Sequence, residues 1–161
     1  QSLGSSVRIV RAMPNTPAMV GEGMTGLSWS DDNFSESERT ELMQFFTSFG
    51  KAEWVPENLM DAVTAASGSS PAFIYMMIEA LADGVVKYGM PRDKAYTFVS
   101  QAVLGSAKMV LETGEHPGLL KDKVCSPGGT TIAAVAELEA SGFRSSLIKA
   151  ASAVCDRCRN M

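Results

Sequence analysis

Four kinds of feature are scarce in this chain of 161 residues, and each scarcity removes a class of function. There is one histidine, His116, and there are three cysteines, Cys125, Cys155 and Cys158. A structural zinc site needs about four ligands. The Cys155-x-x-Cys158 pair has no second pair and lies inside a helical pattern, and His116 is far off in sequence, so no metal site is expected. The three cysteines read instead as small buried hydrophobes. An odd count without a signal peptide points to a reducing, cytoplasmic setting. No run of Lys or Arg occurs and the net charge is −4, so neither nucleic acid nor an acidic membrane is an expected partner. The longest apolar run, Ala72-Phe-Ile-Tyr-Met-Met-Ile78, is far shorter than the ~20 residues of a membrane span, and Glu79 and Asp83 follow it. Also missing is a strand followed by Gly-x-Gly-x-x-Gly, the mark of a dinucleotide pyrophosphate site. Gly21, Gly23 and Gly26 follow a proline-rich loop and have the wrong spacing.

What is present is a globular composition, 45% hydrophobic, with room for one full domain and part of another. Residues 7–55 read as the end of an α/β domain. Val7–Val10, Gly26–Ser30 and Ala52–Val55 are the expected strands. Between the last two, Ser35 and Glu38 form a capping box, Leu42, Phe45, Phe46 and Phe49 make a helical stripe, and Gly50 closes the helix.

From residue 58 onward the pattern is helical. Asn58 is the expected cap of a short helix, which Gly68-Ser-Ser-Pro71 breaks. Residues 71–88 then form a helix that is apolar nearly all round, and such a helix must be covered on several sides. A domain of about 100 residues cannot easily hide it alone, so a second subunit is inferred. Glu79, Asp83 and Lys87 stand at i, i+4 and i+8, as an ion-pair ladder would. After Gly89, Pro91 opens a helix with Ala95, Phe98, Val99, Ala102, Val103 and Met109 in its stripe. A short helix follows Gly114-Glu-His-Pro-Gly118, with His116 read as a surface or interface residue. Two last helices are expected at about 129–140 and 143–159, split by Gly142.

Ser126-Pro-Gly-Gly129 runs into Thr130, Thr131 and the apolar-periodic Ile132, Val135 and Ala136. On local sequence it supports two readings equally. One is an ordinary helix start, with Ser126 as cap and Pro127 at the first helical position. The other is an anion site, because unpaired N–H groups and the positive end of the helix dipole meet there. Met13-Pro-Asn-Thr-Pro17 is a stiffened loop after the first strand, where ligands of open α/β sheets sit.

The segment Lys121–Ile132 resembles the C-terminal signature of pyrroline-5-carboxylate reductases. Arg11–Pro17, Asp61–Ala72, Glu79–Gly84, Gln101–Lys108 and Ser141–Arg144 match that family in the same order. The resemblance implies a mainly α fold: the last strands and a helix of a Rossmann-like nucleotide-binding domain over 1–57, then an all-helical dimerisation and substrate-binding domain over 58–161. It implies reduction of 1-pyrroline-5-carboxylate to L-proline with NADPH or NADH, the last step of proline biosynthesis. It also implies a homodimer that assembles into rings of dimers.

By the same resemblance Thr131 lies near the imine nitrogen and is the catalytic candidate. A threonine hydroxyl is a poor general acid, so its expected role is an orienting hydrogen-bond donor, with water one candidate for the proton source. Val124, Ser126, Gly128, Gly129, Thr130 and Thr131 are the implied substrate-binding residues. Met13, Pro14, Asn15, Thr16, Ser67, Gly68 and Ser69 are the implied cofactor-binding residues. Since the family begins with a glycine turn that this chain lacks, the chain is expected to be the C-terminal portion of a longer enzyme. Two other classes remain open: a free-standing dimerisation module without catalysis, and a related imine or β-hydroxyacid reductase.

Overall fold

The structure is a computed structural model, and it describes residues 7–30 and 33–160. The described residues are mainly helical with one small sheet, in two units: residues up to 72 together with those from 149 onward, and residues 73–148.

The first unit holds three strands, β1 (Arg11–Met13), β2 (Gly23–Ser28) and β3 (Gly50–Trp54), in that spatial order. β1 runs antiparallel to β2, with Met13 opposite Gly26. β2 and β3 are parallel, with Leu27 opposite Trp54. A parallel pair needs a crossover, and α1 (Glu36–Thr47) supplies it. The expected capping box forms: the Ser35 hydroxyl accepts from the Glu38 N–H, and the Glu38 carboxylate accepts from the Ser35 N–H. Leu27, Trp29 and Ala52 are the buried core, with Phe34, Leu42, Met43 and Phe46 packed against them.

Local expectations shift here. Val7–Val10 carry strand chemistry but find no pairing strand among the described residues, and β1 starts at Arg11. The second and third strands begin three and two residues earlier than expected. Gly50 does not close α1; Ser48 caps it and Gly50 opens β3. Phe45 is 64% exposed, so the buried stripe passes through Met43 instead.

After β3 come a 3-10 turn (Glu57–Leu59), α2 (Met60–Val63) and a π turn (Thr64–Gly68). Asn58 lies inside the 3-10 turn and caps nothing; Leu59 precedes α2. The helical course continues with little break into α3 (Ser70–Val86). Gly26 permits the close approach of α2, since an added Cβ would stand 2.5 Å from a Val63 methyl.

The second unit contains most of α3, then α4 (Arg92–Thr113), α5 (Pro117–Lys123), α6 (Thr130–Ala140) and the first turns of α7 (Phe143–Arg159). Asp83 pairs with Arg92 at 2.6 Å across the turn between α3 and α4, in place of the expected ladder to Lys87. The Arg92 guanidinium also lies over the Tyr96 ring, 5.1 Å being the comparable Arg8–Phe34 distance and 5.9 Å this one. His116 caps α5, its Nδ1 accepting from the Gly118 N–H at 3.1 Å. Among the described hydrophobic residues of this unit only Ala82 and Ala95 are buried. Met76, Phe98, Leu104 and Leu111 are all more than half exposed. Met77, Leu81, Val85, Val99, Val103 and Val110 line an apolar groove of about 570 Å³. Apolar surface on this scale marks a contact surface.

No helix among the described residues is long and apolar enough to cross a membrane. The three cysteines are free and half-buried rather than buried, and Cys155 Sγ lies 3.7 Å from the Asp61 carbonyl.

Candidate functional site

α6 begins without a cap. Gly129 occupies the N-cap position with extended backbone, and no side chain bonds the first-turn N–H groups. Ser126 and Pro127 therefore do not start the helix. They belong to a tight turn closed by the Gly129 N–H to the Ser126 carbonyl at 3.0 Å. Pro127 sits at its second position and Gly128 at its third, with φ +67. That positive φ is the reason for glycine there. At Gly129 an added Cβ would collide with Ser126 Oγ and stand 3.1 Å from the Ser126 carbonyl. The two glycines thus leave the start of α6 bare, where the helix dipole favours an anion.

The threonines at this start differ from the other α-helical threonines. Thr40, Thr47, Thr97 and Thr113 each spend the hydroxyl on a carbonyl one turn back. Thr130 and Thr131 are in the first turn, where no preceding helical carbonyl exists. Both are exposed, and neither hydroxyl has a hydrogen bond among the described residues. Val124, the last residue before the turn, is 64% exposed and ends α5. Nearby cations are already committed. Lys123 pairs with Glu115 at 2.5 Å. Lys121 bonds Asp122, and that bond holds its ammonium above the usual lysine range. The attraction for an anion rests on N–H groups rather than on a free lysine.

The first unit brings the other group of predicted residues together. Met13 ends β1, Pro14 and Thr16 are exposed, and Asn15 between them is half-buried. Asn15 Nδ2 donates to the Ser67 carbonyl at 3.1 Å, and Asn15 Oδ1 accepts from the Met24 N–H at 2.9 Å. Gly68 faces Met13: an added Cβ would lie 3.6 Å from Met13 Sδ. Ser67 turns its own hydroxyl back to the Val63 carbonyl at 3.1 Å. Ser69 uses its N–H to close the π turn on Thr64 at 2.8 Å. The loop after β1 and the π turn are one connected surface. Sequence reasoning placed both segments at a cofactor but missed the amide joining them, whose partners are 52 residues apart. It also missed the ion pair of Arg11 with Glu57, which ties β1 to the start of the helical run. No group of three or more potential metal ligands occurs among the described residues.

Comparison with known proteins gives one consistent result. The family described as pyrroline-5-carboxylate reductase dimerisation matches residues 57–161. A pyrroline-5-carboxylate reductase of Escherichia coli is 53% identical over 150 residues, covering 93% of this chain and 55% of that protein. The reductase of Glycine max is 47% identical over the whole chain and 58% of its own length. Among solved structures, a pyrroline-5-carboxylate reductase of Coxiella burnetii superposes with a TM-score of 0.92 at 37% identity, over 98% of this chain and 58% of that one. A Plasmodium falciparum pyrroline carboxylate reductase, solved with NADP bound, gives 0.88 at 36% identity, over 96% and 62%. The chain spans a little over half the length of the curated relatives it matches.

Proposed function

Since the chain belongs to the pyrroline-5-carboxylate reductase family, we propose that it is the C-terminal part of an enzyme that reduces 1-pyrroline-5-carboxylate to L-proline with NADPH or NADH. The observation that carries this reading is the uncapped start of α6, with the Thr130 and Thr131 hydroxyls unpaired beside it. A cyclic imine acid presents a carboxylate and, next to it, a ring nitrogen that must gain a proton. The first N–H groups of α6 hold the carboxylate. The Thr131 hydroxyl donates a hydrogen bond to the ring nitrogen and fixes the face of the C=N bond; water delivers the proton. Ser126, Gly128 and Gly129 shape the approach, Thr130 flanks it, and Val124 borders the ring.

The nicotinamide, when bound, supplies the hydride. Residues of this chain fit that end of the cofactor: exposed Pro14 and Thr16 at the carboxyl end of β1, joined to Ser67–Ser69 through Asn15. The NADP bound in the Plasmodium relative supports a nicotinamide cofactor. The pyrophosphate turn is assigned to the remainder of the enzyme, since the relatives are nearly twice as long as this chain.

Residues 58–161 are read as the dimerisation domain and 1–57 as the end of the nucleotide-binding domain, which agrees with a family match beginning at residue 57. The exposed apolar faces of α3 and α4 are the surface a second subunit covers, dimers assemble further into rings, and the enzyme works in the cytoplasm.

The complete enzyme is expected to oxidise NADPH or NADH in step with proline formation, and residues 1–161 alone are expected to turn over nothing. Failure of the complete enzyme to form proline rejects the reading; reduction by the 161-residue chain alone at a comparable rate rejects the division of labour. Met77→Asp or Ile74→Asp is expected to prevent assembly, and a well-folded monomer of the unaltered protein in sedimentation at micromolar concentration contradicts the dimer.

A further inference from the structure

The helical run from Met60 to Val86 passes a proline with little loss of course. An α-helix pairs each carbonyl with the N–H four residues on. The partner due to the Ser67 carbonyl is therefore residue 71, and Pro71 has no N–H. The neighbouring carbonyls are served by local groups. Thr64 receives the Ser69 N–H at 2.8 Å, and Ala66 receives the Ser70 hydroxyl at 2.7 Å. Ser67 is served from a distance, by Asn15 Nδ2 at 3.1 Å. The other end of the same amide accepts from the Met24 N–H at 2.9 Å. Asn15 and Ser67 are both half-buried, where an unmade carbonyl bond is costly.

We propose that Asn15 is a positioning residue. It supplies the donor that Pro71 lacks, and so holds Ser67–Ser69 against Met13 as one preformed surface for the nicotinamide end of the cofactor. This rests on the reading above that both segments face the cofactor. It differs from direct contact, because both hydrogen-bonding ends of the amide are engaged inside the chain. Binding to a surface that is only fractionally assembled weakens apparent affinity by that fraction, while the bound complex keeps its geometry. A fault in Asn15 therefore falls on KM more than on kcat.

The test uses the complete enzyme. Asn15→Ala is expected to raise KM for NADPH about tenfold and to change kcat less than about threefold. Asn15→Asp keeps an acceptor for Met24 but turns a carboxylate towards the Ser67 carbonyl, and is expected to be at least as poor. Pro71→Ala returns an N–H to position 71. In that background Asn15→Ala is expected to raise KM by less than about half as much, a non-additivity that loss of a merely structural side chain does not produce. An unchanged KM in Asn15→Ala, or equal rises in both backgrounds, overturns the proposal. An unaltered enzyme that forms no proline rejects the reaction instead. The coupling is then read from the unfolding midpoints of the unaltered protein, the two single variants and the double variant, where additivity overturns it.

Discussion

The starts of α1 and α6 are built from the same kind of residue and end in opposite states. At α1 the Ser35 hydroxyl and the Glu38 carboxylate each take one of the free N–H groups, and Arg8 bonds the carboxylate at 2.6 Å. The Glu38 carboxylate itself occupies the side from which an anion would approach. At α6 the cap is a glycine, no side chain reaches the N–H groups, and Thr130 and Thr131 keep their hydroxyls free. A closed start contributes stability, about 1 kcal/mol for a serine cap. An open start gives up that contribution and keeps its binding capacity for something outside the chain. The π turn before α3 stands between the two, since it closes on itself through the Ser69 N–H while its Ser67 carbonyl is served by a donor from another element.

The comparison is broken most severely at Gly129. In the complete enzyme Gly129→Val puts a branched side chain against Ser126 and, on the proposed reading, in the path of the substrate carboxylate. A fall of more than about 100-fold in kcat/KM is expected, with cofactor affinity within about threefold. Thr131→Ala removes one oriented neutral hydrogen bond and leaves the N–H groups in place. It should lower kcat/KM roughly 10- to 100-fold, or ~1.4–2.7 kcal/mol of transition-state stabilisation, with Thr130→Ala milder. Full activity in Thr131→Ala with loss in Thr130→Ala would move the assignment by one residue. Activity retained in all three would make the glycine turn a helix start and nothing more.

At the closed start the expected effects are on folding and not on catalysis. Ser35→Ala should cost about 1 kcal/mol in denaturant unfolding and leave kcat/KM within about twofold. The smallest effect concerns acid. The Ser35 N–H, then the Arg8 guanidinium, hold the Glu38 carboxyl down from its ordinary 4.5 to about 2. Its lowered value means a contribution fully present above pH 4.5 and lost as pH falls towards about 2. Glu38→Gln should flatten that part of the stability profile; an unchanged acid profile would count against the closed box.

These contrasts also mark what could be read in the residues. α1, α4, α6 and α7 were legible because capping residues, Gly114 and Gly142 punctuate a 3.6-residue apolar repeat. The open start was half legible: Gly128-Gly129 signalled a bare backbone, but whether Ser126 would cap depended on a turn that closes before the helix begins. Pro71 looked like a break, yet the helical run continues past it, and the amide that serves the Ser67 carbonyl stands 52 residues from Ser67, a link no local pattern carries. Asp83 was assigned to a ladder with Lys87, yet the turn at Gly89 brings Arg92 within 2.6 Å. The first strand was misplaced because β chemistry without a partner strand makes no ladder. The roles of Thr131 and of the cofactor loop came from family likeness, and their kinetics are the measure of them.

α7 has a consequence of another kind. Its first turns belong with residues 73–148, while residues 149–160 belong with the sheet-containing unit formed by the residues before 73. The Cys155 thiol meets the Asp61 carbonyl across 94 positions of sequence. During synthesis that sheet-containing unit therefore waits for all of the intervening helices before its last segment arrives, and contacts of such long separation form slowly. The early unit stays unfinished while the apolar faces of α3 and α4 are already off the ribosome, an interval in which chaperone capture competes with maturation.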